Sequence, residues 1–150
     1  MSQSLVKNYV HIVFSTKNRE DFIDENIEHE LFTYIATLCK DFGSIALQIG
    51  GTDNHIHILC LLSRKMALMK LVQEIKAHSS KWIKNKGKKY ENFFWQDGYG
   101  AFSVSEENVY AVTRYIKNQR QHHEQIHYKD ELIGILQKYK MDYDEKYMWD

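Results

Sequence analysis

Two histidines one residue apart, His55 and His57, sit in the run Gly50-Gly51-Thr52-Asp53-Asn54-His55-Ile56-His57-Ile58-Leu59-Cys60-Leu61-Leu62. The glycines and the polar residues after them are turn formers, and the run that follows is apolar. This pattern predicts a tight turn feeding a buried strand. Side chains on a strand repeat every two residues, so both imidazoles face the same way, with backbones about 7 Å apart. Held so, they can offer two lone-pair nitrogens to one metal ion. The same pair reads equally well as two core histidines bonded to their neighbours, and the strand alone does not decide between these readings.

A second pair of chemically useful residues lies some 60 positions on. Tyr115 and Gln119 are four residues apart in Val112-Thr113-Arg114-Tyr115-Ile116-Lys117-Asn118-Gln119. On a helix they share one face, at the shoulder of a Val109/Val112/Ile116 stripe. Tyr110 points about 140° away from Tyr115 and cannot join it. A phenol, with its ordinary pKa near 10, is a poor nucleophile at neutral pH. It becomes a useful one toward a phosphodiester when a metal polarises the phosphate and neutralises developing charge. Gln119 can lend a neutral oxygen to such a metal. The plainer alternative is a packing tyrosine and a surface amide.

The elements that must position these residues follow from periodicity. Residues 5–16 read as a strand closed by Lys17-Asn18-Arg19, with His11 structural within it. Asp24-Glu25-Asn26 opens a helix whose stripe is Ile27, Leu31, Tyr34, Ile35 and Leu38, and Gly43 ends it. Residues 44–48 form a short strand, joined through the Gly-Gly turn to the strand 55–62 as a hairpin. A second helix spans about 66–85, with Leu68, Val72, Ile75 and Trp82 inward, His78 on its polar face and Gly87 at its end. Residues 93–95 and 98–104 read as one strand or a bent pair around Asp97-Gly98. Ser103 or Ser105 caps a third helix running to about residue 125. A last helix covers about 129–140, with Leu132, Ile135 and Leu136 inward. The order β-α-β-β-α-β predicts an α+β fold: a ferredoxin-like split β-α-β antiparallel sheet with helices on one face, plus C-terminal helices.

Composition sets outer limits. The chain has 150 residues, 43% hydrophobic and 27% charged, which suits one compact domain over 1–150. No stretch approaches the roughly 18 apolar residues of a membrane span. The N-terminus lacks the look of a signal peptide, so a cytoplasmic protein without membrane partners is expected, with Cys39 and Cys60 as buried thiols rather than a disulfide. Twenty basic and twenty acidic residues cancel. They are unevenly spread: Arg64, Lys65, Lys70, Lys76, Lys81, Lys84, Lys86, Lys88 and Lys89 are opposed within their segment only by Glu74. A local basic segment suits contact with phosphates, or it is simply a solvated helix face.

Taken together, the motifs resemble those of the HUH-type tyrosine transposases of small bacterial insertion sequences, the insertion sequence 200/605 family. The resemblance rests on His55-Ile56-His57 with its Gly50-to-Asn54 lead-in, on Trp95-Gln96-Asp97-Gly98-Tyr99-Gly100-Ala101-Phe102-Ser103-Val104, and on Tyr115-Ile116-Lys117-Asn118-Gln119 followed by His122-His123. The early run from His11 to Arg19 also fits. The match spans nearly the whole chain, and its strength is in the joint order and spacing. It implies a single HUH transposase domain, a homodimer that cuts and rejoins single-stranded DNA at hairpin-bearing element ends. By the match, His55, His57 and Gln119 are ligands of a divalent metal, Mg2+ or Mn2+. Tyr115 is the nucleophile, forming a 5′-phosphotyrosine and releasing a 3′-hydroxyl. In this family the tyrosine helix can complete the histidine site of the other subunit. Phe93, Phe94, Trp95, Tyr99 and Phe102 are candidates for stacking on unpaired bases, although at least half are expected to pack internally.

Two other readings compete. One is a domesticated, REP-associated tyrosine transposase acting on dispersed genomic hairpins. The other is a non-catalytic nucleic-acid-binding ferredoxin-like module, which would have no need of a metal site. A zinc hydrolase fits less well, because no Asp or Glu lies on the histidine strand.

Overall fold

Alternation of side chains along two central strands organises the molecule. In the computed structural model, which describes residues 2–150, the elements are β1 (Tyr9–Ser15), α1 (Glu25–Asp41), β2 (Ile45–Gly51), β3 (His55–Leu61), α2 (Leu68–Lys84), β4 (Gly100–Val104), α3 (Val109–Lys117), α4 (Gln119–His122) and α5 (Tyr128–Lys138). The four strands form one antiparallel sheet in the order β2-β3-β1-β4. This is the expected split β-α-β arrangement.

One face of the sheet carries Val10, Ile12 and Phe14 from β1 and Ile56, Ile58 and Cys60 from β3. These pack with Ile27, Leu31 and Ile35 of α1 and with Leu71, Val72 and Ile75 of α2 in the main core. The intervening residues look the other way. There Leu59 and Val104 meet Ile116 of α3, and Val13 and Phe102 meet Tyr128, Leu132 and Leu136 of α5. The expected helices on one face are α1 and α2, and the C-terminal helices cover the opposite one. The histidines lie between the sheet and this second layer.

Local chemistry explains several boundaries. The Asp24 side chain accepts from the backbone N–H groups of Asn26 and Ile27, capping α1. Gly43, at φ +76°, ends it as expected. The two glycines before the histidines have a different role from the one expected. Both belong to β2, and the turn is Thr52-Asp53-Asn54. A Cβ on Gly50 would stand 2.1 Å from the carbonyl oxygen of Ile116. Gly50 therefore lets the end of α3 lie directly on the sheet, one residue from Tyr115.

Other boundaries also move. β1 begins at Tyr9, and residues 93–95 form no strand beyond a single bridge from Trp95 to Thr16. The third helix is not continuous. Ser103 belongs to β4, and Ser105 precedes a 3-10 turn without making a side-chain cap. Asn118, at φ −97° and ψ 20°, interrupts the helix between α3 and α4. Both cysteines are buried and free, and burial raises both thiols, Cys39 to about 12 and Cys60 to about 11. No helix among the described residues is long and apolar enough to cross a membrane.

Candidate active site

The structure brings all four sequence-singled residues together. β3 presents His55 and His57, both fully buried, toward the α3–α5 layer. α3 presents half-buried Tyr115, whose ring centre lies 5.8 Å from that of His57. Gln119, buried at the start of α4, brings its Oε1 to 3.0 Å from His55 Nε2. The interruption at Asn118 does not separate the two helical residues, because both turn toward one acid.

That acid is Glu131 of α5. Its Oε1 lies 3.1 Å from His57 Nε2 and 3.5 Å from His55 Nε2. Its Oε2 accepts hydrogen bonds from the Tyr115 hydroxyl and, at 2.9 Å, from Gln119 Nε2. His123 Nε2 lies 3.0 Å from Oε1. His11 completes the cluster from β1, its Nε2 lying 2.8 Å from His57 Nδ1. The structural role expected of His11 thus has a definite form: it orients a candidate ligand. His55 is held in turn by Asn54 Oδ1 and Thr52 Oγ1 at its Nδ1, and it stacks on Tyr128.

Sequence reading passed over Glu131 and gave His123 no role of its own. A signal for the acid was present. Tyr128, Glu131, Leu132, Ile135 and Leu136 recur at helical core spacing, and a carboxylate in such a stripe needs partners. The histidine strand itself carries no acid, and this one arrives 74 residues after His57.

Burial and charge act together here. Burial alone would raise the Glu131 carboxyl, but the three imidazoles set against it, those of His123, His55 and His57, hold it well below the usual carboxylate range. Burial pulls His55 down to about 4, against the opposing pull of Glu131, and His11 down to about 3. Burial and the Glu131 charge push the Tyr115 phenol up. His55 and His11 are thus neutral imidazoles near an ionised carboxylate. The ligand atoms of His55, His57, His123 and Glu131 lie within 4.8 Å of one another, so this donor set fits a divalent cation. Tyr115 and Glu131 also border a cleft of about 620 Å³ between α3 and α5, with Asn108 and Lys138 farther along its wall.

The basic segment is less available than its sequence suggests. Lys76 is turned inward, donating to the carbonyl oxygens of Gln96, Asp97 and Gly98 at 2.7, 3.1 and 2.6 Å. Burial lowers it to about 8, with Asp97 opposing. Lys70, Lys86 and Lys89 pair with Glu74, Glu30 and Asp24. Lys84 lies over the ring of Phe94. Of the aromatic set, Phe93, Trp95 and Phe102 are buried, while Phe94 and Tyr99 are exposed.

Two solved structures share the fold. A candidate transposase from Deinococcus radiodurans R1 superposes with a TM-score of 0.62 at 18% identity, covering 79% of this chain and 98% of that one. A REP-associated tyrosine transposase bound to a REP hairpin gives 0.61 at 16% identity, over 84% of this chain and 76% of that one. Among curated proteins, none matches the sequence significantly. The family model described as "Transposase IS200 like" matches residues 4–119, from before β1 through Gln119. The chain belongs to the IS200-like transposase family.

Proposed function

We propose that the protein is a DNA transposase that cleaves and rejoins single-stranded DNA at hairpin-bearing ends, with Tyr115 as nucleophile. One observation carries this reading: the Tyr115 hydroxyl and the Gln119 amide bind the same carboxylate whose other oxygen faces both histidines. His55, His57 and Gln119 would hold a divalent cation, Mg2+ or Mn2+. When bound, that cation polarises the scissile phosphate and offsets charge on it.

The chain's own residues do the rest. Tyr115 Oη forms a bond to the scissile phosphorus, and the bond from phosphorus to the 3′-oxygen breaks. The phenolic proton passes to Glu131 Oε2, which already accepts it as a hydrogen bond. Glu131 then releases that proton to the leaving oxygen, which becomes a 3′-hydroxyl, and the carboxylate returns to its ionised form. The product is a 5′-phosphotyrosine, and attack on it by a 3′-hydroxyl rejoins the strands. His11 orients His57, and Asn54 with Thr52 orients His55. In the homodimer implied by the resemblance, we assign each site to one chain, because Tyr115 already reaches Glu131 beside its own His57. The whole chain, 1–150, acts as one domain. Exposed Phe94 and Tyr99 are offered for base stacking, and Lys81 and Lys88 for phosphate contact.

The hairpin-bound neighbour favours one variant of this reading, a domesticated enzyme acting on REP-like genomic hairpins. The chemistry is the same in both, and the DNA flanking the gene separates them. The test is incubation with single-stranded hairpin DNA from the gene's flanks, labelled at the 3′ end to follow the adduct and separately at the 5′ end to follow the released strand, with Mg2+ or Mn2+, followed by denaturing electrophoresis. A protein–DNA adduct and a free 3′-hydroxyl fragment are expected. Hairpin binding without any cleavage, unchanged when both histidines are alanine, would support the non-catalytic module instead.

A further inference from the structure

The polar groups around Glu131 contain more acceptors than donors. His123 Nδ1 faces the Ile126 carbonyl, which can only accept, so Nδ1 carries the proton. His123 Nε2 then presents a lone pair 3.0 Å from Glu131 Oε1, and this buried atom makes no hydrogen bond. His55 is likewise ringed by oxygens. Its Nδ1 meets Asn54 Oδ1 at 2.8 Å, and its Nε2 faces Gln119 Oε1 at 3.0 Å and Glu131 Oε1 at 3.5 Å. Gln119 is held in that orientation because its Nε2 donates to Glu131 Oε2. His57 Nε2 is the third imidazole nitrogen against the same oxygen, at 3.1 Å.

Buried lone pairs that face one another repel, and a cation placed among them reverses the sign. The spacing suits one. With metal–ligand bonds of about 2.1 Å in octahedral coordination, neighbouring donor atoms stand about 3.0 Å apart. Each imidazole is also fixed from behind: His57 by His11, His55 by Asn54 and Thr52, His123 by the Ile126 carbonyl. Such anchoring of the remote ring nitrogen is the usual support of a ligating histidine.

We propose that Glu131 and His123 are metal donors alongside His55, His57 and Gln119, and that the site therefore prefers a first-row transition ion such as Mn2+ to Mg2+. Three imidazole nitrogens suit a transition ion, whereas Mg2+ favours oxygen ligands and keeps several waters. Glu131 then spans two jobs. Its Oε1 holds the cation, and its Oε2 holds the Tyr115 hydroxyl, so loading the site also positions the nucleophile. This inference rests on the metal-site part of the proposed function and is independent of the DNA chemistry.

The test is titration calorimetry of the full chain with Mn2+ alone and with Mg2+ alone. Wild type should bind Mn2+ at least tenfold more tightly than Mg2+. Glu131→Gln and His123→Ala should each weaken Mn2+ binding by about 10- to 100-fold or more. Affinities within twofold of wild type in both variants would overturn the donor set. Pulsed electron-spin measurements on bound Mn2+ give a second readout that survives poor folding of either variant. Three coupled imidazole nitrogens are expected in wild type, and only two would overturn the assignment of His123. The two proposals fail separately. Mn2+ bound by this set with no DNA adduct sinks the transposase chemistry alone. Adduct formation with Mn2+ affinity indifferent to Glu131 and His123 sinks the donor set alone.

Discussion

The two faces of the sheet are built from the same strands, but one is apolar throughout and the other sets a buried polar cluster among its apolar contacts. Toward α1 and α2 the strands send Ile12, Phe14, Ile56 and Ile58, all fully buried among apolar side chains. Toward α3 and α5 they send His55 and His57, just as deeply buried, and His11, nearly so, against Gln119 and Glu131. One face gains free energy simply by leaving water. The other holds polar groups that burial penalises unless each finds a partner. The contrast teaches where the fold's stability resides and where it has been given up for chemistry. It also gives four ways to break or sharpen the division.

The largest stability effect should come from the apolar face. Ile58→Ala is expected to cost about 2–5 kcal/mol in urea unfolding, while the folded protein keeps its metal affinity. Acid should act next, and only on the polar face. His55 and His11 titrate near 6.5 in the unfolded chain but at about 4 and about 3 when folded. The unfolded state therefore takes up protons first, so stability is full above about pH 6.5 and falls as pH drops toward 4 and then 3. The lowered Glu131 carboxyl adds loss in the same direction below about pH 4.5. The total should reach a few kcal/mol, measured by denaturation of metal-free protein across pH.

Gly50→Ala probes the seam between the layers. Its Cβ would collide with the Ile116 backbone, so α3 must lift. A stability loss of about 1–3 kcal/mol is expected. Adduct formation should fall further, by about 100-fold, because Tyr115 moves with the helix. The smallest effect should follow Lys81→Gln on the outer surface of α2: stability within about 0.5 kcal/mol of wild type, with hairpin binding a few-fold weaker and less sensitive to salt.

The fold was largely legible because it depends on periodicity. Alternation in β1 and β3 and the stripes of α1 and α2 follow from local sequence. The site was half legible. His55-Ile56-His57 and the Tyr115–Gln119 pair carry their chemistry in short spacings. Glu131 and His123 do not, since their meaning comes from α5 folding back over β3. The lysine segment was legible only in part, for the opposite reason. Charge is visible in a sequence, but the inward turn of Lys76 onto three carbonyl oxygens is not. Gly50 read as a turn residue because its true constraint, the backbone of α3, lies more than 60 positions away.

The central claim is that Tyr115 Oη becomes bonded to DNA phosphorus. Peptide mapping by mass spectrometry of the protein after reaction with hairpin DNA and Mn2+ tests it most directly. The account predicts a 5′-phosphonucleotide on the peptide containing Tyr115, and no adduct at all from Tyr115→Phe. An adduct on any other residue, or one that persists in Tyr115→Phe, would contradict it.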